Sequence, residues 1–376
     1  MKLHERLFQL LIFFLPSQLG LHFWPTWSFV RGLRVDYLAP TIYFTDLLLL
    51  ATILFWLLES KPDFKFSPKQ LFSAILVLSF FVLNLVFAVT PLVAFIKIVR
   101  LTELLLFYYY LICNPQSLKL IFKPLSLAVI YTFMLSVFQL YFQKTIGGPF
   151  YWLGERTFDA STPAIAEFTF LGREYLRPYA TFSHPNTLAG FMLVSALLLF
   201  PSLLSLLAFL LVLISFSQNA WLAVAILLSI SVIKVNKSFT RFFIFVTFMV
   251  SFIFPFTPYL LGAKRQALSF EAFRLFSHAP IFGIGQGNYI PAAVTFQNSF
   301  LLQPVHNIYL LILVEAGTLG LLLTYYFLNK IKLTLPLIAI LLTGIFDHYW
   351  LTQTQTQLLL VLVLAFAKLN KTWIKN

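Results

Sequence analysis

Charged side chains are scarce in this sequence of 376 residues. Only 10% of the residues are Asp, Glu, Lys or Arg, whereas 60% are hydrophobic, and the mean hydropathy is +0.88. Soluble globular domains carry about 25% charged residues and need them to cover their surface. The composition therefore excludes an ordinary soluble domain and indicates an integral membrane protein.

Cysteine and acidic residues are also few. Cys113 is the single cysteine, so the chain forms no internal disulfide. Asp and Glu number 13 against 26 Lys and Arg, a net charge of +13 at pH 7 that membrane topology and anionic lipid head groups explain without a nucleic-acid partner. The histidines are scattered, and neither an Asp-x-Asp pair in an outer loop nor an ATP-binding glycine loop occurs, so we expect no metal and no cofactor.

Long apolar runs fill most of the chain. Because the hydrocarbon core of a bilayer needs about 20 helical residues to cross it, each run is a candidate spanning helix. We predict an all-α polytopic membrane protein, a single transmembrane domain over residues 1–376 with about twelve spans. The predicted spans are residues 7–23, 41–58, 71–89, 91–112, 124–142, 184–200, 202–217, 219–233, 241–261, 305–327, 333–346 and 349–367.

Basic residues divide unevenly between the two sides of these spans. The connections on the side of the N-terminus hold more of them, namely Lys2, Arg6, Lys61, Lys65, Lys69, Lys119, Lys123, Lys234, Lys237, Arg241, Lys330, Lys332, Lys368, Lys371 and Lys375. Since short cytoplasmic loops carry the excess of lysine and arginine, we predict a cytoplasmic (inner) membrane protein with both termini in the cytoplasm.

Two long segments, residues 143–183 and 262–304, break the pattern of short connections on the outer side. Loops of this length are usually functional or disordered, and residues 264–279 within the second have a helical pattern. Against the usual tendency, these segments concentrate the outer basic residues Lys144, Arg156, Arg173, Arg177, Lys264, Arg265 and Arg274. We therefore expect an anionic ligand on the outer face.

Three motifs follow one another in the second half of the chain. Residues 177–190 read RPYATFSHPNTLAG, residues 280–290 read PIFGIGQGNYI, and residues 305–321 read VHNIYLLILVEAGTLGL. In order and spacing they resemble the signature of the O-antigen ligase and O-antigen polymerase superfamily, over about residues 170–330. The chain departs from the family at Ser217-Gln218, where many members have Ser-Arg, so no role passes to Gln218.

The resemblance implies a membrane glycosyltransferase of the GT-C type. Such an enzyme moves a glycan from a polyprenyl-diphosphate donor to a glycan, lipid or protein acceptor on the outer face of the membrane, as in lipopolysaccharide biosynthesis. For ligases it implies two arginines on the donor diphosphate and a loop histidine near the acceptor. The matching motifs give these roles to Arg177 and His306, with Arg265 as the second arginine.

These residue types fit that chemistry. An arginine fork pairs with phosphate and stabilises the charge that grows on a leaving diphosphate, and an imidazole can take the proton of an incoming hydroxyl. Asn307 either caps the helix that follows or orients the ring of His306. His184 and Asn186 are placed to fix the loop that carries Arg177.

Other residues keep two interpretations each. The glycine-rich turn that contains Gly285 and Gly287 is either a phosphate or sugar cradle or a tight turn. Arg100 and Glu103 form either an internal ion pair or part of a basic lining for a lipid phosphate, while Glu315 is expected to hold a buried basic or polar partner. Asp347-His348 is either a second acid/base pair or an interfacial hydrogen-bonding pair.

The function also keeps alternatives at this stage. A polymerase of the same superfamily would use the same donor chemistry to lengthen a lipid-linked glycan. A transporter of a lipid-linked or anionic solute would explain charged residues inside the spans, here Lys97, Arg100, Glu103 and Glu315.

Overall fold

A computed structural model describes residues 1–62, 68–231, 236–257 and 262–369. The predicted locations of Lys65, Lys234, Lys371 and Lys375 fall outside these ranges, as do the ends of two predicted spans at residues 232–233 and 258–261.

The described chain is mostly helical. Its α-helices are α1 (Leu3–Phe13), α2 (Phe44–Ser60), α3 (Pro68–Val86), α4 (Pro91–Cys113), α5 (Phe122–Phe142), α6 (Pro185–Leu199), α7 (Leu203–Ile214), α8 (Gln218–Ser231), α9 (Lys237–Ile253), α10 (Ala263–His278), α11 (Tyr289–Gln297), α12 (Ile308–Leu328), α13 (Leu335–Gly344), α14 (Tyr349–Thr352) and α15 (Thr354–Leu369).

Each of the twelve predicted segments contains a helix, and α10 confirms the helical pattern at residues 264–279. Among the described residues, three helical stretches are both long and apolar enough to cross a membrane: Pro115–Phe142, Lys237–Phe256 and Ile308–Leu328. These lengths and compositions are consistent with an α-helical membrane protein.

The first predicted span, residues 7–23, is wrong. Helix α1 ends at Phe13 after 11 residues, and Pro16 follows, which disfavours helical backbone at the residue before it. Residues Gly20–His22 then form strand β1, which pairs antiparallel with β4 (Thr41–Tyr43) just before α2. An apolar run alone does not distinguish a helix from a strand. The sequence therefore predicted one spanning helix where the chain forms a short helix followed by a strand.

Two further hairpins lie in connections on the predicted outer side. Strands β2 (Phe29–Val30) and β3 (Leu33–Arg34) pair within the part of the chain between α1 and α2, which we call the N-terminal connection. Strand β5 (Glu167–Phe170) pairs with β6 (Arg173–Leu176) within the first long segment. Arg31, at the turn of the first hairpin, donates a hydrogen bond to the backbone oxygen of Asn298 at 3.2 Å. The N-terminal connection is thereby fastened to the second long segment.

Helix α6 lies at the centre of the main apolar core. Nearly all of its residues are buried, and it packs against α7, α8 and α13. Its approach to α14 requires glycine at position 190, because a Cβ there would lie 2.1 Å from the hydroxyl of Tyr349. A helix that is apolar on every side is buried on every side, so α6 holds its N-terminus, residues 184–186, in a fixed place.

Helix α12 is interrupted where a continuous helix was predicted. Gly317 has φ +68°, and a Cβ there would lie 2.2 Å from the carbonyl oxygen of Ile281. The glycine-rich turn docks against this break: the N–H groups of Ile284 and Gly285 donate to the carbonyls of Val314 and Glu315 at 3.0 and 3.2 Å. Backbone groups freed by a broken helix need such partners inside a membrane protein.

The contact between the break in α12 and the glycine-rich turn can be tested at Gly317. We expect Gly317→Ala to lower the midpoint of thermal unfolding in detergent more than Gly262→Ala does. Both glycines have positive φ, at +68° and +72°, but a Cβ at Gly262 meets no atom within 4 Å. Backbone strain costs each variant about 1–3 kcal/mol, and only the Gly317 variant must also displace the backbone of Ile281. Equal shifts for the two variants would contradict the close contact at the break.

Candidate active site

One cavity, of about 1360 Å³, joins the predicted outer segments to the helices. Its walls come from the N-terminal connection and α2, from α4, from the two long outer segments and the start of α6, and from residues 347–357, which run from the connection after α13 into α15. The candidate residues that line it include His184, Arg265, His306, Asp347 and His348, with Arg100 and Glu103 further along α4.

His306 and Asp347 form a hydrogen-bonded pair of titratable groups in the cavity wall. The His306 Nδ1 atom lies 3.2 Å from Asp347 Oδ1, and Asp347 is only 5% exposed. Burial alone would raise the pKa of Asp347, but the charge and hydrogen bond of His306, with the charges of His348 and Arg265, hold it well below its usual range. An ionised carboxylate only accepts hydrogen bonds, so Nδ1 of His306 is the donor to Asp347, and Nε2 is the ring nitrogen left to exchange a proton with a ligand.

A chain of hydrogen bonds links this pair to Arg177. Asn186 Nδ2 donates to Asp347 Oδ2 at 3.2 Å, and Asn186 Oδ1 accepts from Arg177 Nη2 at 2.8 Å. Because the guanidinium only donates, it fixes which end of the Asn186 amide faces Asp347. Burial lowers the pKa of Arg177 to about 10, which leaves the side chain protonated at neutral pH.

Arg177 itself does not line the cavity among the described residues. Its Nε atom donates to the backbone oxygen of Ser215 at 2.9 Å, behind the wall. The sequence prediction that Asn186 helps to fix the loop of Arg177 is confirmed by their hydrogen bond. Arg177 therefore reaches the site through Asn186 and Asp347, whereas Arg265 faces the cavity directly.

Two further histidines adjoin the pair. His184 Nδ1 accepts the N–H of Asn186 at 3.1 Å and so caps α6, and its exposed ring lines the cavity. His348 is 4% exposed, and its ring centre lies 5.0 Å from that of His306. Burial, with the charge of His306, lowers the pKa of His348 to about 3. The ring of His348 is therefore neutral at pH 7.

Three basic residues line the same part of the cavity. Arg156 comes from the first long outer segment, and Lys264 and Arg265 come from the start of α10 in the second. The two segments therefore bring positive charge to one place, as expected for an anionic ligand. In the sequence, Arg156 and Lys264 are distinguished only as two of the basic residues in the long outer segments. The structure places both in the cavity wall.

Aliphatic side chains also line the cavity. Leu47 and Leu50 of α2 and Val99 and Leu106 of α4 line it, and all four side chains are exposed. Such residues normally face the core or lipid. The cavity therefore has an aliphatic opening between α2 and α4, beside the charged side chains Asp46, Lys97, Arg100 and Glu103 of the same helices.

Arg100 lies along the cavity wall near this opening. Its Nη1 and Nη2 atoms donate to the two oxygens of Asp46 at 2.5 and 2.7 Å, and Nη1 also donates to Glu103 at 2.7 Å. The predicted internal pair of Arg100 and Glu103 is confirmed, and Asp46 adds a partner that spacing along α4 did not indicate. Two carboxylates compensate this guanidinium, so it offers a phosphate little positive charge.

The remaining candidate residues lie away from the cavity. Asn307 caps α12, since its Oδ1 accepts the N–H groups of Tyr309 and Leu310 at 2.9 and 3.1 Å, which confirms the predicted capping role. Glu315 accepts the N–H of Gly287 at 2.8 Å, a polar partner as expected. Neither Gly285 nor Gly287 is among the described residues that line the cavity, and their turn is packed against α12.

One group of side chains at His306 could bind a metal ion. Among the described residues, His306, Asp347 and His348 offer two imidazole nitrogens and a carboxylate oxygen that lie within 4.8 Å of one another. Imidazole and carboxylate are ligands that suit zinc and other divalent transition metals. The same three residues thus serve either as a base with its support or as a metal site, and chelation separates the two.

Comparison with known proteins adds no identification: no family model, no curated protein and no solved structure matches this chain.

His348 predicts a pH dependence of stability. Its pKa is about 3 in the folded chain and about 6.5 when unfolded, so between these values only the unfolded chain binds the proton. Stability is therefore lost as the pH falls below 6.5, by about 2 kcal/mol for this residue at pH 5. We expect the thermal midpoint in detergent to fall between pH 7 and pH 5, and to fall less in His348→Asn.

The exposed His278, which stacks on Phe296 outside the cavity, is the matched control. His278→Asn should lose as much stability as the unsubstituted protein over the same pH range. An equal loss in the His348 variant would show that this ring is not held neutral by the fold.

Proposed function

We propose that this protein is a membrane glycosyltransferase that moves a glycan from a polyprenyl-diphosphate donor to an acceptor hydroxyl, in the manner of O-antigen ligases. One observation carries the proposal: a single cavity combines a histidine held by a buried carboxylate, basic side chains from both long outer segments and an aliphatic opening. A lipid-linked diphosphate donor requires all three features together.

Donor binding follows from the charges and the apolar wall. Arg156, Lys264 and Arg265 supply positive charge for the diphosphate, and the fork of an arginine pairs with two phosphate oxygens at once. The polyprenyl chain would leave the cavity between Leu47 of α2 and Val99 of α4, where both are exposed. This arrangement keeps the diphosphate in the polar part of the cavity and the hydrocarbon tail in lipid.

Transfer needs one proton acceptor and one stabilised leaving group. The acceptor hydroxyl gives its proton to Nε2 of His306 as its oxygen bonds to the anomeric carbon of the donor. The bond from that carbon to the diphosphate oxygen breaks, its electron pair stays on the diphosphate, and Arg265 stabilises the charge. Asp347 stabilises the imidazolium that forms and remains ionised.

Arg177 has a different role in this proposal from Arg265. Its hydrogen bond to Asn186 orients the amide that donates to Asp347, so Arg177 acts on His306 through two intervening side chains. We propose that Arg265 contacts the donor diphosphate and that Arg177 positions the base. The sequence motif alone gave both arginines the same task.

The site would lie on the outer face of the cytoplasmic membrane, as the distribution of lysine and arginine in the sequence indicates. A polymerase of the same superfamily would use the same base and the same basic wall, so it differs only in an acceptor that is itself lipid-linked. The length of the product distinguishes the two, because ligation adds one preformed glycan and polymerisation gives a ladder.

The transporter alternative depends on the charged side chains that line the cavity beside lipid. Lys97, Arg100 and Glu103 are of this kind. Arg100 is held by two carboxylates, which favours a structural role over contact with a moving solute. Transport would appear as movement of labelled lipid across vesicles without a new glycosidic bond.

We expect His306→Ala to lower the rate of glycan transfer by about 10²–10⁴-fold, the usual contribution of a general base. Asp347→Asn should also lower the rate, because an amide in place of the carboxylate stabilises an imidazolium poorly. The assay uses reconstituted vesicles with a polyprenyl-diphosphate oligosaccharide and an acceptor, in the presence of EDTA. His278→Ala, outside the cavity, is the control and should retain the full rate.

Chelation decides between the two uses of His306, Asp347 and His348. Transfer that persists in EDTA supports the base. If EDTA stops transfer and added Zn²⁺ restores it, the three residues hold a metal and the proton-transfer scheme is wrong. If labelled lipid crosses the bilayer and no glycan is transferred, the transferase proposal itself fails.

The two arginine roles predict different kinetic effects. Arg265→Gln should raise the KM for the donor by roughly 10–100-fold, as expected for one charged hydrogen bond. Arg177→Gln should lower kcat with little change in the donor KM. Arg274 lies on the same helix α10 outside the cavity, and Arg274→Gln should change neither constant. A raised donor KM in Arg177→Gln with none in Arg265→Gln would reverse the assignment.

A further inference from the structure

A run of neutral hydrogen-bonding residues follows the site in the sequence. Residues 352–357 read TQTQTQ, an alternation of threonine and glutamine between two apolar stretches. The helix is broken in this run: Gln353 ends α14 with extended backbone, φ −110° and ψ 124°, and α15 begins at Thr354. Polar residues in such a place are costly unless they have partners or a function.

Part of the run has structural partners. Gln355 Nε2 donates to the backbone oxygen of Pro16 at 2.6 Å, and Thr356 Oγ1 donates to the backbone oxygen of Tyr349 at 2.5 Å. Both residues are buried. They explain how the helix break is held. Thr352 and Gln357 also donate to backbone oxygens, those of His348 at 3.2 Å and Leu351 at 2.5 Å.

The other four, Thr352, Gln353, Thr354 and Gln357, line the cavity. Gln18 joins them from the N-terminal connection, with its Nε2 atom 3.4 Å from Gln353 Oε1. We call these five residues the amide wall. None of them carries a charge, in contrast to the basic residues Arg156, Lys264 and Arg265.

Several polar atoms of the amide wall lack partners in the described part of the chain. Gln353 Nε2 donates no hydrogen bond there, and Gln18 Oε1, Gln357 Oε1 and Thr354 Oγ1 accept none. The wall therefore presents unused donors and acceptors together, on side chains that are half-buried except for the buried Thr354. A phosphate would call for donors and positive charge, and a hydrocarbon chain would call for neither donors nor acceptors.

Sugar hydroxyls match this wall, because each hydroxyl both donates and accepts. Tyr37 lines the cavity beside it, with its ring centre 5.5 Å from that of His348 in a T-shaped contact. An aromatic ring can take the apolar face of a pyranose while neighbouring amides bind its hydroxyls. Neutral amides and one tyrosine are thus the chemistry of a carbohydrate subsite.

The amide wall is close to the base. His348 Nδ1 lies 2.8 Å from Thr352 Oγ1, one helical turn of about 5.4 Å further along the chain. His348 in turn lies against His306. We propose that the amide wall binds a sugar residue of the acceptor and presents its hydroxyl to His306. This assignment to the acceptor rests on the proposed transferase function, since it is the acceptor hydroxyl that must reach the base.

Sugar binding can be measured without any transfer activity. The full chain, in a detergent that has no sugar head group, is titrated with methyl glucoside, methyl galactoside, methyl mannoside, N-acetylglucosamine and rhamnose, and binding is followed by saturation-transfer NMR. At least one of these sugars should bind. Gln353→Leu and Gln357→Leu should each weaken that binding by roughly 3–10-fold, the effect of losing one neutral hydrogen bond.

Gln116→Leu is the control, because Gln116 is exposed in the turn Pro115–Leu120 and lies outside the cavity. It should bind the sugars as the unsubstituted chain does. Thermal unfolding of each variant identifies any that fails to fold, and the second glutamine variant then carries the test. If none of the sugars binds, or if both wall variants fold and bind as the control does, the amide wall is not a sugar subsite.

Kinetics separate the acceptor from the donor as the source of the sugar. In the vesicle assay, Gln353→Leu should raise the KM for the acceptor and leave the donor KM unchanged. A raised donor KM alone would assign the wall to the sugar of the donor and overturn the proposal. If sugars bind at the wall but no donor supports transfer, the transferase function fails while the sugar subsite itself stands.

Discussion

The buried carboxylate of Asp347 is the constraint on which the site depends. A charge removed from water is tolerated when hydrogen bonds and opposite charges surround it. Here His306 and Asn186 bond to its two oxygens, and the N–H of His348 adds a third bond at 2.9 Å. These partners come from the starts of α12 and α6 and from the connection after α13. One ionised group therefore fixes three parts of the chain relative to each other.

Several kinds of side chain line the cavity around Asp347. Basic side chains, neutral amides and aliphatic side chains line different portions of one space. In a membrane protein, polar groups gather inside the bundle because lipid gives them no partners. Polar groups are therefore confined to the interior of the protein. There, the basic, amide and aliphatic side chains of the cavity suit different parts of an amphipathic molecule.

Local features of the sequence predicted local features of the structure. Helix spacing predicted the pair of Arg100 and Glu103, and the position of Asn307 before an apolar run predicted its capping role. The partners of His306 could not be predicted in this way, since Asp347 lies far along the chain and no spacing rule relates the two. The sequence signal that pointed to Asp347 was its position in an Asp-His pair between two apolar runs. The break at Gly317 was missed because hydropathy is unchanged where a helix is interrupted.

The burial of α6 has a consequence for how the protein is made. Helix α13 packs against α6 but is synthesised about 135 residues later. Asp347, the partner of Asn186, emerges later still. Until then Asn186 lacks the carboxylate to which it donates in the finished structure, although α7 and α8 already follow α6 in the chain. The hydrogen-bonded group of Asn186, His306 and Asp347 is therefore completed only after nearly the whole described chain has been synthesised.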